Sequence, residues 1–164
     1  MKTRLISPPG LSATGAGPKI FRSMLPTLIL GIVLQLFYPA VTAFPFFKET
    51  TLKNAGWILF VPGILFWVIS VVQFLRDFPK GKLITTGVYS LSRNPIYASW
   101  IVFILPGLAG IFNNWIYLLA AIIMYISLAI NIKEEEKALT EIFGDEYLKY
   151  AKKVNRVLFF PPFL

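Results

Sequence analysis

The sequence contains no cysteine and no histidine. The first absence excludes disulfides, thiolate metal sites and a cysteine nucleophile. The second removes the commonest general base and metal ligand, so any chemistry here proceeds without imidazole and no metal site is expected. Charge is scarce as well: 15% of the 164 residues are charged, against about 25% in an ordinary soluble chain. In its place the chain is 56% hydrophobic and 16% aromatic. A soluble core of one domain cannot hide so much apolar surface, whereas a bilayer can. The formal net charge of +8 does not indicate nucleic acid, because the basic residues fall between hydrophobic runs, where membrane topology puts them. Nor does Met1–Lys19 have the compact apolar stretch and small-residue cleavage site of a secretory signal. Residues 1–23 are expected to be a flexible cytoplasmic lead-in, with Pro8-Pro9-Gly10 disfavouring helix.

Four apolar runs follow. Met24–Phe44 carries no charge and at 1.5 Å per residue extends about 31 Å, enough for a hydrocarbon core of ~30 Å. Pro26 is expected in its opening turn and Pro39 to kink it or end it early. Phe44-Pro45-Phe46-Phe47 suits the headgroup region. The second run, Gly56–Leu75, ends at Arg76-Asp77; the third, Ile96–Phe112, is interrupted by Pro106-Gly107. Asn113-Asn114 makes a tight turn into the fourth, Trp115–Ile132, so the last two form a helical hairpin. Lys and Arg locate the sides. Four lie in the N-terminal tail (Lys2, Arg4, Lys19, Arg22), four in the link between runs two and three (Arg76, Lys80, Lys82, Arg93) and six after the last run. These fourteen of the sixteen basic residues share one side if there are four spans, and that side is predicted to be cytoplasmic. The expected fold is an all-α, polytopic transmembrane helical bundle of about four spans, with both termini and a charged C-terminal helical segment in the cytoplasm. Residues 24–76 would anchor it and residues 77–164 would form the functional core.

The polar residues most in need of explanation flank the hairpin on that side. Because the hairpin doubles back, Arg93 and Glu134-Glu135-Glu136 are predicted to be neighbours in space despite their separation in sequence. Arg93 read alone is a snorkelling anchor, and the glutamates read alone are a solvated turn. A helix turns 100° per residue, however, so three consecutive glutamates cannot all face water. Glu136 shares a stripe with Ile132, Leu139 and Phe143, and Glu135 with Ile132, Leu139 and Ile142. At least one carboxylate therefore points with the apolar face and needs a partner, for which Arg93 is the candidate. Asn94-Pro95 reads as the N-cap and first turn of the third span, where free N–H groups beside Arg93 would welcome a carboxylate or phosphate. Tyr147 and Tyr150, three apart on one face, read as packing residues. Phe159–Leu164 reads as an interfacial anchor or a lid.

Gly87-x-Tyr89, Arg93-Asn94-Pro95-x-Tyr97, a hairpin, Glu135-Glu136-x-x-Leu139, Phe143-Gly144-x-Glu146-Tyr147, Tyr150, Val154 and Arg156 together resemble the isoprenylcysteine carboxyl methyltransferases and the related membrane phospholipid methyltransferases. The resemblance covers about Leu83–Pro161. It implies an integral-membrane methyltransferase that binds S-adenosyl-L-methionine in a cytoplasmic-side pocket and takes a lipid or lipidated acceptor from the bilayer. On this reading Arg93 and Glu135 are the expected catalytic residues, Gly87, Tyr89, Asn94, Tyr97 and Glu136 the cofactor-binding residues, and Arg156 a substrate-binding residue. The family commonly has His where Asn94 stands, so a base role is not expected at that position. The alternatives are a non-catalytic membrane scaffold that keeps the fold, and a membrane reductase. A small-ion channel is disfavoured, because the span centres carry no charge.

Overall fold

The computed structural model describes residues 15–157. The expectations for Pro8–Gly10 and Phe159–Leu164 therefore lie outside the described residues. Among the described residues every regular element is helical. Helix α1 runs over Gly17–Phe37, starting before the apolar run and converting the end of the expected flexible lead-in to helix. Pro18 lies in its first turn, where a missing N–H costs nothing, and Ile20 and Met24 are buried in one core cluster with Met124, Leu128 and Ile132. Pro26 consequently sits inside α1 and not in its opening turn. The helix stops at Phe37, as the approach of Pro39 requires, and a single turn, α2 (Pro39–Thr42), follows.

Helix α3 spans Glu49–Asp77, longer at both ends than expected, and continues through Pro62. Helix α4 (Pro95–Ala98), a wide π-helical stretch (Ser99–Ile104) and α5 (Leu105–Ile111) form one apolar rod. The expected interruption at Pro106 appears here as a change of register. A proline lacks the N–H and crowds the carbonyl four residues back, and the widened stretch before it relieves both problems. Helix α6 (Ile116–Phe143) passes well beyond the expected end at Ile132 and carries the glutamates on the same rod. Helix α7 (Asp145–Lys153) turns back after Gly144.

Helix α1 packs on α6, α6 on α5, and α3 on α5 and the π-helical stretch. The α3–α5 seam depends on absent side chains. A Cβ on Gly56 would fall 2.6 Å from the Gly107 carbonyl oxygen and 2.5 Å from the Ile111 nitrogen. Close backbone approach between small residues is how helices associate where lipid removes the hydrophobic drive. Among the described residues three helices are long and apolar enough to cross a membrane: α1, α3 with its short 3-10 extension to Lys80, and α6; the rod Pro95–Ile111 is shorter. Leu36 and Ile58 are 73% and 72% exposed. Such side chains point outward along α1 and α3, a surface suited to lipid and not to water.

Candidate functional site

A cavity of about 210 Å³ opens where the ends of α3 and α6, the segment before α4, and α7 converge. Helix α6 contributes Ile132, Glu136, Leu139 and Phe143, the stripe expected from helical periodicity. The segment before α4 is stitched to the chain following α7. The Arg93 N–H donates to the Asn155 carbonyl at 2.8 Å, the Asn94 N–H to the Arg156 carbonyl at 3.2 Å, and Ser92 Oγ to the same Arg156 oxygen at 2.9 Å. These backbone bonds fix where the Arg93 and Arg156 side chains start.

Both guanidinium groups end on Glu136. Arg93 Nη1 lies 2.9 Å from Glu136 Oε1 and donates to the Tyr147 hydroxyl at 3.1 Å. Arg156 grips the carboxylate as a fork, Nε donating to Oε1 at 2.9 Å and Nη2 to Oε2. Planar two-point contact of this kind is stronger and more directional than a lysine can give. The bond to Glu136 also raises the Arg156 pKa, so that group stays charged. Burial, and then the Glu136 charge, push the Tyr147 phenol above its ordinary range. It remains protonated and serves as an acceptor for Arg93.

Glu135 points elsewhere, as successive positions on a helix must. It accepts a hydrogen bond from the Ala16 backbone N–H at the start of α1, where Gly15 lies against it. Arg93 Nε is buried and has no hydrogen-bond partner among the described residues. Much of the remaining wall is apolar, with Phe74 and Phe78, stacked at 4.7 Å, and Leu83, Ile84 and Ile96, while Lys82 adds a cation. The cavity lining therefore combines the Glu135 and Glu136 carboxylates and the Arg93 guanidinium with a largely apolar face. A zwitterionic ligand and a lipid-like group would find complementary surfaces within the same space.

Residues 52–146 match the phospholipid methyltransferase family. The chain belongs to that family. It is 30% identical over 141 residues to protein-S-isoprenylcysteine O-methyltransferase B of Arabidopsis thaliana, covering 80% of this chain and 69% of the relative. It is 28% identical over 122 residues to a probable protein-S-isoprenylcysteine O-methyltransferase of Oryza sativa subsp. indica, covering 68% of this chain and 64% of that protein. It is 32% identical over 72 residues to the Mus musculus protein-S-isoprenylcysteine O-methyltransferase, covering 44% of this chain and 25% of that one. No solved structure matches it. The phospholipid methyltransferase match begins within α3, earlier than the resemblance read from the motifs, which started near Leu83.

Of the residues singled out in the sequence of this family member, Tyr89, Arg93, Asn94, Tyr97, Glu135 and Glu136 line the cavity. Gly87 and Arg156 are not among the lining residues; Arg156 reaches it through Glu136. Arg93 meets a glutamate across the hairpin, and that glutamate is Glu136. Asn94 stands at the N-cap position, but its side chain makes no cap bond; its Nδ2 donates to the Arg156 carbonyl at 3.3 Å. Tyr147 and Tyr150 line the cavity in addition to packing. Gln73, Phe74 and Phe78 were not anticipated from the sequence. A lone amide near the end of an otherwise apolar run was the available signal for the first.

Proposed function

We propose that this chain is an integral-membrane methyltransferase moving a methyl group from S-adenosylmethionine to a lipid-like acceptor, a prenylated cysteine carboxylate or a phospholipid amine. The observation that carries the reading is Glu136 held between Arg93 and Arg156 at the head of an apolar-walled cavity. The fit to the donor rests on charge: Glu135 suits its cationic portion, and the Arg93 guanidinium suits its carboxylate. When bound, S-adenosylmethionine supplies a methyl group already activated by its sulfonium.

Catalysis by the protein is then mainly alignment and exclusion of water, which can account for much of the rate in a displacement of this type. Arg93 orients a carboxylate group without needing to deprotonate it. With an amine acceptor, the proton released as the C–N bond forms would pass to Glu135. Tyr89, Asn94 and Tyr97 shape the donor's surroundings, and Phe74, Phe78 and Ile84 keep the acceptor's apolar part dry. Arg156 acts one step back, fixing the orientation of Glu136. The cavity lies at the helix ends that carry most of the basic residues, which supports a cytoplasmic site in a four-span chain with both termini inside. The test is incubation of the purified protein with labelled S-adenosylmethionine and a native lipid extract. Label in a prenylated cysteine or phospholipid is expected; a folded protein that neither labels an acceptor nor binds S-adenosylhomocysteine overturns the reading.

A further inference from the structure

Gln73 is buried near the end of α3, in a stretch from Ala55 to Leu75 whose other polar side chain is Ser70, and both ends of its amide are used. Nε2 donates to the Thr86 carbonyl at 2.8 Å, and Oε1 accepts the Val88 N–H at 3.2 Å. The side chain thus grips the backbone on both sides of Gly87. Gly87 has φ +60°, and a Cβ there would fall 2.5 Å from Gln73 Oε1. Any other residue would be strained and would expel the amide. The gripped turn leads directly to Tyr89, which is buried, lines the cavity, and accepts the Tyr150 hydroxyl of α7 on its carbonyl at 2.6 Å. The Ser92 N–H then donates back to the Val88 carbonyl at 3.3 Å, one residue before Arg93.

We propose that Gln73 is a positioning residue: it ties the membrane helix α3 to the turn at residues 86–88 and so sets the Tyr89 wall against α7. In its effect on turnover this rests on the proposed methyl transfer; in its effect on the turn it does not. The polar end of the site is held separately, by the bonds from Arg93 and Asn94 to Asn155 and Arg156. Losing Gln73 therefore displaces the wall while the charged cluster persists.

Three readouts decide the matter in detergent-purified protein: amide exchange at Val88, S-adenosylhomocysteine affinity, and turnover. For Gln73→Ala, exchange at Val88 is expected to quicken at least about ten-fold. Turnover should fall roughly ten-fold or more, since a displaced wall misaligns what it holds, and affinity, to which the Tyr89 wall contributes, should fall by at least about three-fold. Gln73→Glu supplies the conservative comparison. The new carboxylic acid, when protonated, accepts from Val88 and donates to Thr86, but when ionised it repels the Thr86 carbonyl. Activity of Gln73→Glu relative to wild type should therefore climb as pH falls, and that of Gln73→Ala should not. Unchanged Val88 protection in folded Gln73→Ala overturns the proposal, as does wild-type turnover by that variant. If wild-type protein neither binds S-adenosylhomocysteine nor transfers methyl, the proposed function fails while Val88 exchange still decides the clamp.

Discussion

The two ends of the bundle solve the same problem, polar groups buried beside lipid, in opposite ways. At the Asn113-Asn114 turn every partner is neutral and in place. Asn114, fully buried, donates through Nδ2 to the Gly31 carbonyl and to Gln35 Oε1, each at 3.0 Å, and accepts the Ile116 N–H. Gln35 Nε2 donates to the Phe112 carbonyl at 2.7 Å, and Trp115 Nε1 to the Val41 carbonyl at 3.1 Å. At the cavity end the groups are charged, one carboxylate is shared by two guanidinium groups, and a buried N–H is left over. A satisfied neutral network stabilises a fold, whereas a charged cluster with spare capacity retains free energy for a ligand.

Experiments can break that contrast. The largest effect is expected from Glu136→Ala, which leaves two guanidinium groups facing each other: about 100-fold loss of methyl transfer, together with roughly 2 kcal/mol of stability from thermal unfolding in detergent. Next comes Asn114→Ala, expected to cost about 2 kcal/mol of stability by stranding buried partners, yet to leave S-adenosylhomocysteine affinity of the folded protein within two-fold. A loss of affinity there without unfolding would erase the distinction between the two ends. Arg93→Ala and Glu135→Gln should each weaken calorimetric S-adenosylhomocysteine binding by roughly ten-fold without unfolding, with Arg93→Lys a poor substitute because it lacks the planar fork. Lys152→Ala, on the exposed side of α7, should change binding less than two-fold. Equal responses from Arg93, Glu135 and Lys152 would mean that the cavity is not the site.

The helical class, the hairpin and the meeting of Arg93 with a glutamate were legible because each follows from periodicity or connectivity. A tight turn forces two helix ends together whatever the side chains are. The choice of Glu136 over Glu135 was not legible. Both share a stripe with Ile132 and Leu139, and the contact of Glu135 with Ala16 depends on where α1 begins. That start was hidden because Gly17–Ser23 looks polar, and its helix is set by tertiary burial of Ile20 rather than by local propensity. The Asn94 side chain was misread for a related reason: its Nδ2 donates to the carbonyl of the distant Arg156, and its oxygen makes no local cap bond. Gln73 was invisible in its role because its partners, Thr86 and Val88, are backbone groups that no side-chain pattern records.

The length of α6 bears on the membrane itself. From Ile116 to Glu136 the unbroken helix rises about 30 Å, close to the thickness of a typical hydrocarbon core. On the proposed four-span reading, that length would set the carboxylate held by two arginines at the margin of the lipid, on one unbroken helix. A thicker bilayer would draw this charged group toward the acyl chains unless the helix moved as a unit, and a thinner one would lift the cavity away from them. On that reading α6 is a ruler for bilayer thickness, with the Glu136 cluster as its fixed mark.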